Sequence, residues 1–164
     1  MSYLLDANVF ISAKNLHYGL DFCPAFWEWL IHGANTRAVF SIDKVADELE
    51  AVADELTEWA CGPGETLFRK TPAALAPQFT QVSTWATSQQ YTPAAVNQFL
   101  QAADFYLVAH ALAGQHIVVT NEVISPSPHR IKIPNACIGL GVRFMTPYQM
   151  LRIEKARFVL EMAA

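Results

Sequence analysis

Cysteine is scarce in this sequence, charge is sparse, and no apolar run is long enough to span a bilayer. Cys23, Cys61 and Cys137 are the only thiols in 164 residues. Their number is odd and no two make a C-x-x-C pair. This argues against a disulfide frame or a thiolate zinc site, and predicts reduced, buried thiols in a cytoplasmic protein. Charged residues make up 16% of the chain and apolar residues 52%, which suits a compact soluble protein and excludes a disordered one. Asp6 interrupts the N-terminus before the apolar core of a secretory leader could form. A net charge of −4 excludes a generic nucleic-acid coat, so a polyanionic substrate would need a local basic patch or metal ions. Internal repeats and linker-like stretches are also missing, and residues 1–164 are expected to form a single domain.

What is present is organised around Ala102 to Ala113, a run without Gly or Pro that is apolar all the way round. Such a helix belongs in the interior. It nevertheless carries Asp104, and no Lys or Arg occurs between Lys70 and Arg130 to sit beside it in sequence. A carboxylate in apolar surroundings is costly unless it is paired, hydrogen-bonded or metal-bound. His110 lies in the same run and reads as a structural hydrogen-bonding group.

Taken in order, Tyr3-Leu4-Leu5 reads as a buried strand that stops at Asp6-Ala7-Asn8, before the first turn of a helix at Val9-Phe10-Ile11. Asp6 and Asn8 are also good capping residues. Residues 12–20 read as loop and 21–34 as a helix with Pro24 near its start. Ala38-Val39-Phe40 makes a second strand. Ser41 or Asp43 then caps a long acidic helix reaching about Trp59. On it, Val45, Leu49, Val52 and Leu56 form a stripe roughly 60° wide, and most of the acids project away from it. Glu48 sits about 70° from the stripe's centre, at the edge of the buried face.

Residues 65–70 suggest a short edge strand and 72–87 a helix with Trp85 packed inward. Thr92-Pro93 opens the helix that either continues into the buried one or breaks near Gln101. His116 to Thr120 is the clearest strand, and it runs into Asn121-Glu122. Residues 124–135 read as a proline-stiffened basic loop carrying His129, Arg130 and Lys132. Val142 to Met145 is a last strand, and Thr146-Pro147 caps a C-terminal helix.

Strands alternating with helices predict an α/β fold with a parallel sheet, whose sites form beyond the C-terminal strand ends. Asp6 and Glu122 each follow a buried strand and so fall on that edge. Helices bring Glu48 and Asp104 towards it. Four carboxylates meeting there repel one another unless divalent cations lie among them.

These residues resemble the PIN-domain ribonucleases, and especially the VapC-type toxins of bacterial toxin–antitoxin pairs. The resemblance is carried by Leu4 to Ile11, by Glu48 after Val45, by Ala103 to Ala111 and by Val118 to Glu122. It spans nearly the whole chain in the family's order. It is nearest a PIN-like branch mainly of unknown function, with an Ile-Pro-x-x-Cys segment, here Ile133 to Cys137, before the last strand. The resemblance implies a three-layer α/β/α architecture with a central parallel sheet of about four to five strands. It further implies one or two Mg²⁺ or Mn²⁺ ions and cleavage of single-stranded RNA, with Asp6, Glu48 and Asp104 as metal-centred acids. Where the family has Thr-x-Asp after the fourth strand, this chain has Thr120-Asn121-Glu122. Glu122 would bind a metal directly or through water.

The expected chemistry is therefore metal-assisted hydrolysis of RNA phosphodiester bonds. Asn8, Thr120 and Asn121 would orient substrate or ligands; Arg130, Lys132 and Lys14 would hold flanking phosphates. The alternatives are an RNA- or partner-binding module on a PIN scaffold and an aspartyl phosphotransferase of the HAD type, whose usual second acid is replaced here by Asn8. On a C-terminal helix, Leu151, Phe158 and Met162 would form one stripe, with Ile153 and Leu160 on the opposite side. The second side is expected to meet an antitoxin or a second copy of the chain.

Overall fold

The computed structural model describes residues 1–36 and 38–162. Five strands form one sheet: β1 (Tyr3–Leu5), β2 (Val39–Ile42), β3 (Phe68–Arg69), β4 (Ile117–Val119) and β5 (Phe144–Met145), in the order β3-β2-β1-β4-β5. Every pairing is parallel, with Leu4 opposite both Phe40 and Val118. β1, β2 and β4 are buried along their whole length. Apart from Ser41, whose hydroxyl donates to the Leu5 carbonyl at 2.6 Å, they are wholly apolar, as strands are in a sheet covered by helices on both faces.

The chain steps outward from β1 through β2 to β3, then returns to the other side of β1 for β4 and β5. The reversal opens a crevice beyond the C-terminal ends of β1 and β4, where an open α/β sheet forms its site. Asp6 and Thr120 are the residues that follow those two strands.

Helices α1 (Ala7–Ser12), α2 (Pro24–Asn35), α3 (Asp43–Glu50) and α4 (Glu55–Cys61) belong to the β1-to-β3 half. α5 (Ala76–Ser88), α6 (Pro93–Gln101) and α7 (Ala103–Gly114) precede β4, with α8 (Ile133–Leu140) and α9 (Pro147–Ile153) flanking β5. α7 packs against α3, α5, α6, α8 and β4, which explains why it is apolar on every side. The helical run does break before it: Ala102 is extended, so α6 and α7 are separate helices.

Several elements differ from the sequence reading. The long acidic helix is two helices. Asp54 caps α4 in a reciprocal box with Thr57, and the Thr57 hydroxyl donates to the Leu49 carbonyl near the end of α3. These bonds satisfy the helix ends exposed by the break. Ala53 takes a left-handed φ of 55°, and Val52 leaves the core, 61% exposed.

Residues 13–17, read as loop, form a π-helical turn running on from α1. The basic loop ends at Lys132, because Ile133 opens α8 with Pro134 in its first turn. α9 stops at Ile153, so the helical stripes expected beyond it do not form: Phe158 packs back on Tyr18 and Phe26, whereas Leu160 is 94% exposed. All three thiols are free, but only Cys137 is buried; Cys61 is exposed. Trp85 is half-buried.

Candidate active site at the sheet edge

Asp6 ends β1 and caps α1, its Oδ1 accepting the Ala7 amide at 2.7 Å. The Thr120 hydroxyl, at the end of β4, donates to the other carboxylate oxygen at 2.9 Å. The same hydroxyl accepts from the Glu122 amide at 3.0 Å and from Asn8 Nδ2 at 3.3 Å. Asn8 Oδ1 in turn accepts the Asn121 amide at 3.0 Å. The loops after β1 and β4 are thereby locked together around a carboxylate only 4% exposed. Asn8, Thr120 and Asn121, expected to orient groups at the site, lie within this network.

Glu48 and Asp104 come from α3 and α7, two helices in contact. Glu48 is exposed, and its Oε1 accepts the Ala103 amide at 3.3 Å. It thus serves the first turn of α7, whose own N-cap, Ala102, has no side chain to do so. Asp104 is half-buried, and among the described residues its carboxylate accepts no hydrogen bond.

Burial and the charge of Asp104, with that of Glu122 adding, push the Asp6 carboxyl well above its usual range, although Thr120 and Ala7 oppose this. Asp104 is pushed up to about 7 by burial and by the charges of Glu122 and Glu48, with Arg130 and Lys132 pulling the other way. The fold therefore brings Asp104 within electrostatic reach of Asp6, Glu122 and Glu48. Among the described residues, no three His, Cys, Asp or Glu side chains are grouped so as to enclose a metal ion.

Glu122 departs from a simple free ligand. Its Oε2 accepts the Ile133 amide at 2.8 Å, at the start of α8, and its Oε1 lies 3.7 Å from an Arg130 guanidinium nitrogen. Cations absent from the neighbouring sequence are thus supplied by the loop before α8. Arg130 faces the acids, and with Asp104 and Gln98 it lines a small cavity of about 60 Å³. Lys132 is half-buried at the N-cap of α8. Lys14 is elsewhere, paired with Asp54.

The sequence reading missed the role of α8. Its first amide holds Glu122, and its Cys137 is buried; burial and the charges of Asp6 and Glu122 push that thiol up to about 12. The signal was available in Lys132-Ile133-Pro134, because proline is favoured at the first helical position. His110 has the structural role expected. The Thr71 hydroxyl donates to Asp43, so His110 Nε2 donates to Thr71 at 3.2 Å.

A parallel five-strand sheet with this order, flanked by helices, is the PIN fold. Three solved structures share it across 89% of this chain. The first is VapBC2 from Rickettsia felis bound to a DNA fragment from its promoter, with a TM-score of 0.57 at 16% identity over 98% of that chain. The second is FitAcB from Neisseria gonorrhoeae, 0.56 at 20% identity over 98%. The third is FitAB bound to an IR36 DNA fragment, 0.56 at 17% identity over 95%. The chain belongs to DUF4411, a family described as a domain of unknown function, which matches residues 3–158. No curated protein matches it. The PIN topology displaces the phosphotransferase alternative.

Proposed function

We propose that this chain is a Mg²⁺- or Mn²⁺-dependent endoribonuclease in which Asp6, Glu48, Asp104 and Glu122 would hold the ion, directly or through water. The observation that carries this reading is Asp104, a half-buried carboxylate without a hydrogen bond among the described residues, pushed up to about 7 by burial and by the charges of Glu122 and Glu48. A structural carboxylate is normally satisfied by donors; one facing its own kind stores repulsion that a divalent cation relieves. The donor set is all hard oxygen, which fits Mg²⁺ or Mn²⁺. Mg²⁺ keeps several of its waters and needs only one or two carboxylates, so a set that does not enclose an ion still suits it.

Such an ion supplies an activated water and stabilises charge on the phosphate being cleaved. The chain's own residues do the rest. Thr120 and Ala7 fix both oxygens of Asp6, while Asn8 and Asn121 hold the two loops in register. Glu122, with one oxygen on Ile133 and the other near Arg130, would hold the ion through water. Arg130 and Lys132 carry positive charge to the flanking phosphates.

The fold shared with VapBC2 and FitAB favours a toxin of a toxin–antitoxin pair working in the cytoplasm. Exposed Ile153, Val159, Leu160 and Met162 offer apolar surface to an antitoxin or to a second copy in a homodimer. No helix among the described residues is long and apolar enough to cross a membrane.

The test is cleavage of labelled single-stranded RNA by purified protein in Mn²⁺. Cleavage should stop in EDTA and in Asp6→Asn, with the circular dichroism spectrum of the variant unchanged. Full activity of Asp6→Asn, or no cleavage by wild type in either metal, would sink the nuclease reading. RNA binding without cleavage would favour the alternative of a binding module.

A further inference from the structure

Arg152, Lys155 and Arg157 gather positive charge near the C-terminus of a chain that is otherwise net negative. α9 ends at Ile153, and Lys155 then takes a left-handed φ of 53°. The resulting bend sets all three cations around one cavity of about 390 Å³ shared with Tyr18, Tyr148 and Phe158. Glu154, the acid within that segment, is exposed, and its carboxylate is engaged by the Tyr3 hydroxyl, which donates to it. None of the three cations has an ion-pair partner among the described residues.

The aromatic part of the cavity is built in two layers. Tyr18 stacks on Phe26 at 4.5 Å and meets the edge of Phe158 at 5.7 Å, which makes it a floor. Tyr148 is half-buried, and the exposed His17 ring meets it edge-on at 5.4 Å. Both tyrosines also line a second, small cavity together with His17 and Asn121. Asn121 is held by Asn8, and Asn8 reaches the Thr120 hydroxyl that bonds Asp6. The two cavities adjoin at Tyr18 and Tyr148, and Asn121 ties the smaller one to the hydrogen-bond network around Asp6.

A protein of net negative charge holds a polyanion only where positive charge is concentrated. Cations alternating with accessible rings suit a single strand in particular, since the rings take unstacked bases and the cations take phosphates. A duplex keeps its bases inside and would use only the cations. We propose that the groove of His17, Tyr148, Arg152, Lys155 and Arg157 binds the stretch of single-stranded RNA flanking the bond to be cut. The identity of the ligand rests on the nuclease reading, but the test does not require cleavage.

Binding of a short fluorescent single-stranded RNA, followed by anisotropy in EDTA over a range of salt, tests it. The combined variant Arg152→Ala, Lys155→Ala, Arg157→Ala should weaken binding and flatten the log–log salt slope by about 2, at roughly 0.7 for each phosphate no longer neutralised. Tyr148→Ala should weaken binding roughly tenfold at unchanged slope, and Tyr148→Phe should restore it. Arg143→Ala, an exposed cation outside the groove, should change neither, and thermal melts of each variant report folding. The proposal is overturned if wild type does not bind the RNA, or if the triple variant keeps both affinity and slope. It is equally overturned if polyglutamate competes as well as RNA, which would make the groove a seat for an acidic protein. Binding that responds as expected, with no cleavage in either metal, would leave the groove standing and remove the nuclease reading.

Discussion

Two sets of carboxylates in this molecule have opposite fates. At the corner between α3 and α4, Asp54 is pulled below its usual range by Lys14, with the Thr57 and Leu56 amides adding to the effect. Asp43, at the start of α3, is pushed up by burial. The Thr71 hydroxyl and amide and the Lys44 amide outweigh that push, leaving it lowered. At the sheet edge, Asp6 and Asp104 go the other way, raised by burial and by the charges of neighbouring acids. The residue type is the same in both places, although Asp43 and Asp54 sit in an acid-rich stretch while Asp6 and Asp104 are lone acids in apolar runs. What differs is whether donors or other acids are in reach, and only the second arrangement leaves a carboxylate with something still to bind.

The contrast is sharpest under metal titration. In EDTA, Asp104→Asn should melt at or above the wild-type temperature, because neutralising one acid relieves repulsion. Mn²⁺ at about a hundredfold over its dissociation constant should stabilise wild type by about 2–3 kcal/mol, and the variant should lose most of that gain. A variant that melts lower in EDTA yet keeps the whole Mn²⁺ shift would put Asp104 with Asp54, as a structural acid.

A somewhat smaller effect is expected from pH. An unfolded chain releases the Asp104 proton near 4, whereas the folded chain keeps it to about 7. Folding therefore takes up a proton in that window, and stability falls as pH rises through it. Denaturant melts in EDTA should show about 2 kcal/mol more stability at about pH 5 than at about pH 7.5. Asp104→Asn should flatten that difference. Asp54 has the opposite sign: its contribution is present above the ordinary carboxylate range and is lost as pH falls through its lowered value. A profile rising steadily with pH from about 5 to about 7.5 would mean the sheet-edge acids are satisfied after all.

The smallest effect belongs to the corner. Asp54→Ala removes the cap of α4 and should cost about 1–2 kcal/mol, the same with or without Mn²⁺. The half-exposed ion pair with Lys14 adds little, and Asp54→Asn should recover most of the loss. A dependence on Mn²⁺ here would blur the distinction between the two sets.

Local sequence was a good guide wherever one element decided its own fate. The apolar run at Tyr3–Leu5, the β-branched run at Ile117–Val119 and the all-round apolar α7 each had their burial written into their composition. Their order was enough to anticipate a parallel sheet with Asp6 and Glu122 beyond its C-terminal edge. The break between α3 and α4 was harder to see, because Val52 and Leu56 kept helical spacing across a capping box that competed with it. Glu48 was expected at the edge of the buried face of α3, but its exposure and its bond to the Ala103 amide depend on where α7 docks.

Sequence by itself therefore determined the fold class, the strand ends that carry Asp6 and Glu122, and the presence of an acid inside α7. Each of these follows from hydrophobic pattern and turn chemistry within a few residues. Only tertiary structure decided which acids are satisfied and which are not. Asp54 received Lys14 from forty residues away, Glu122 received the Ile133 amide and Arg130 from a loop and helix read as one basic segment, and Asp104 received none of these. Hydrogen bonds and charge act over a few ångströms of space, whatever the separation along the chain, so the balance at each carboxylate is set only when the elements pack.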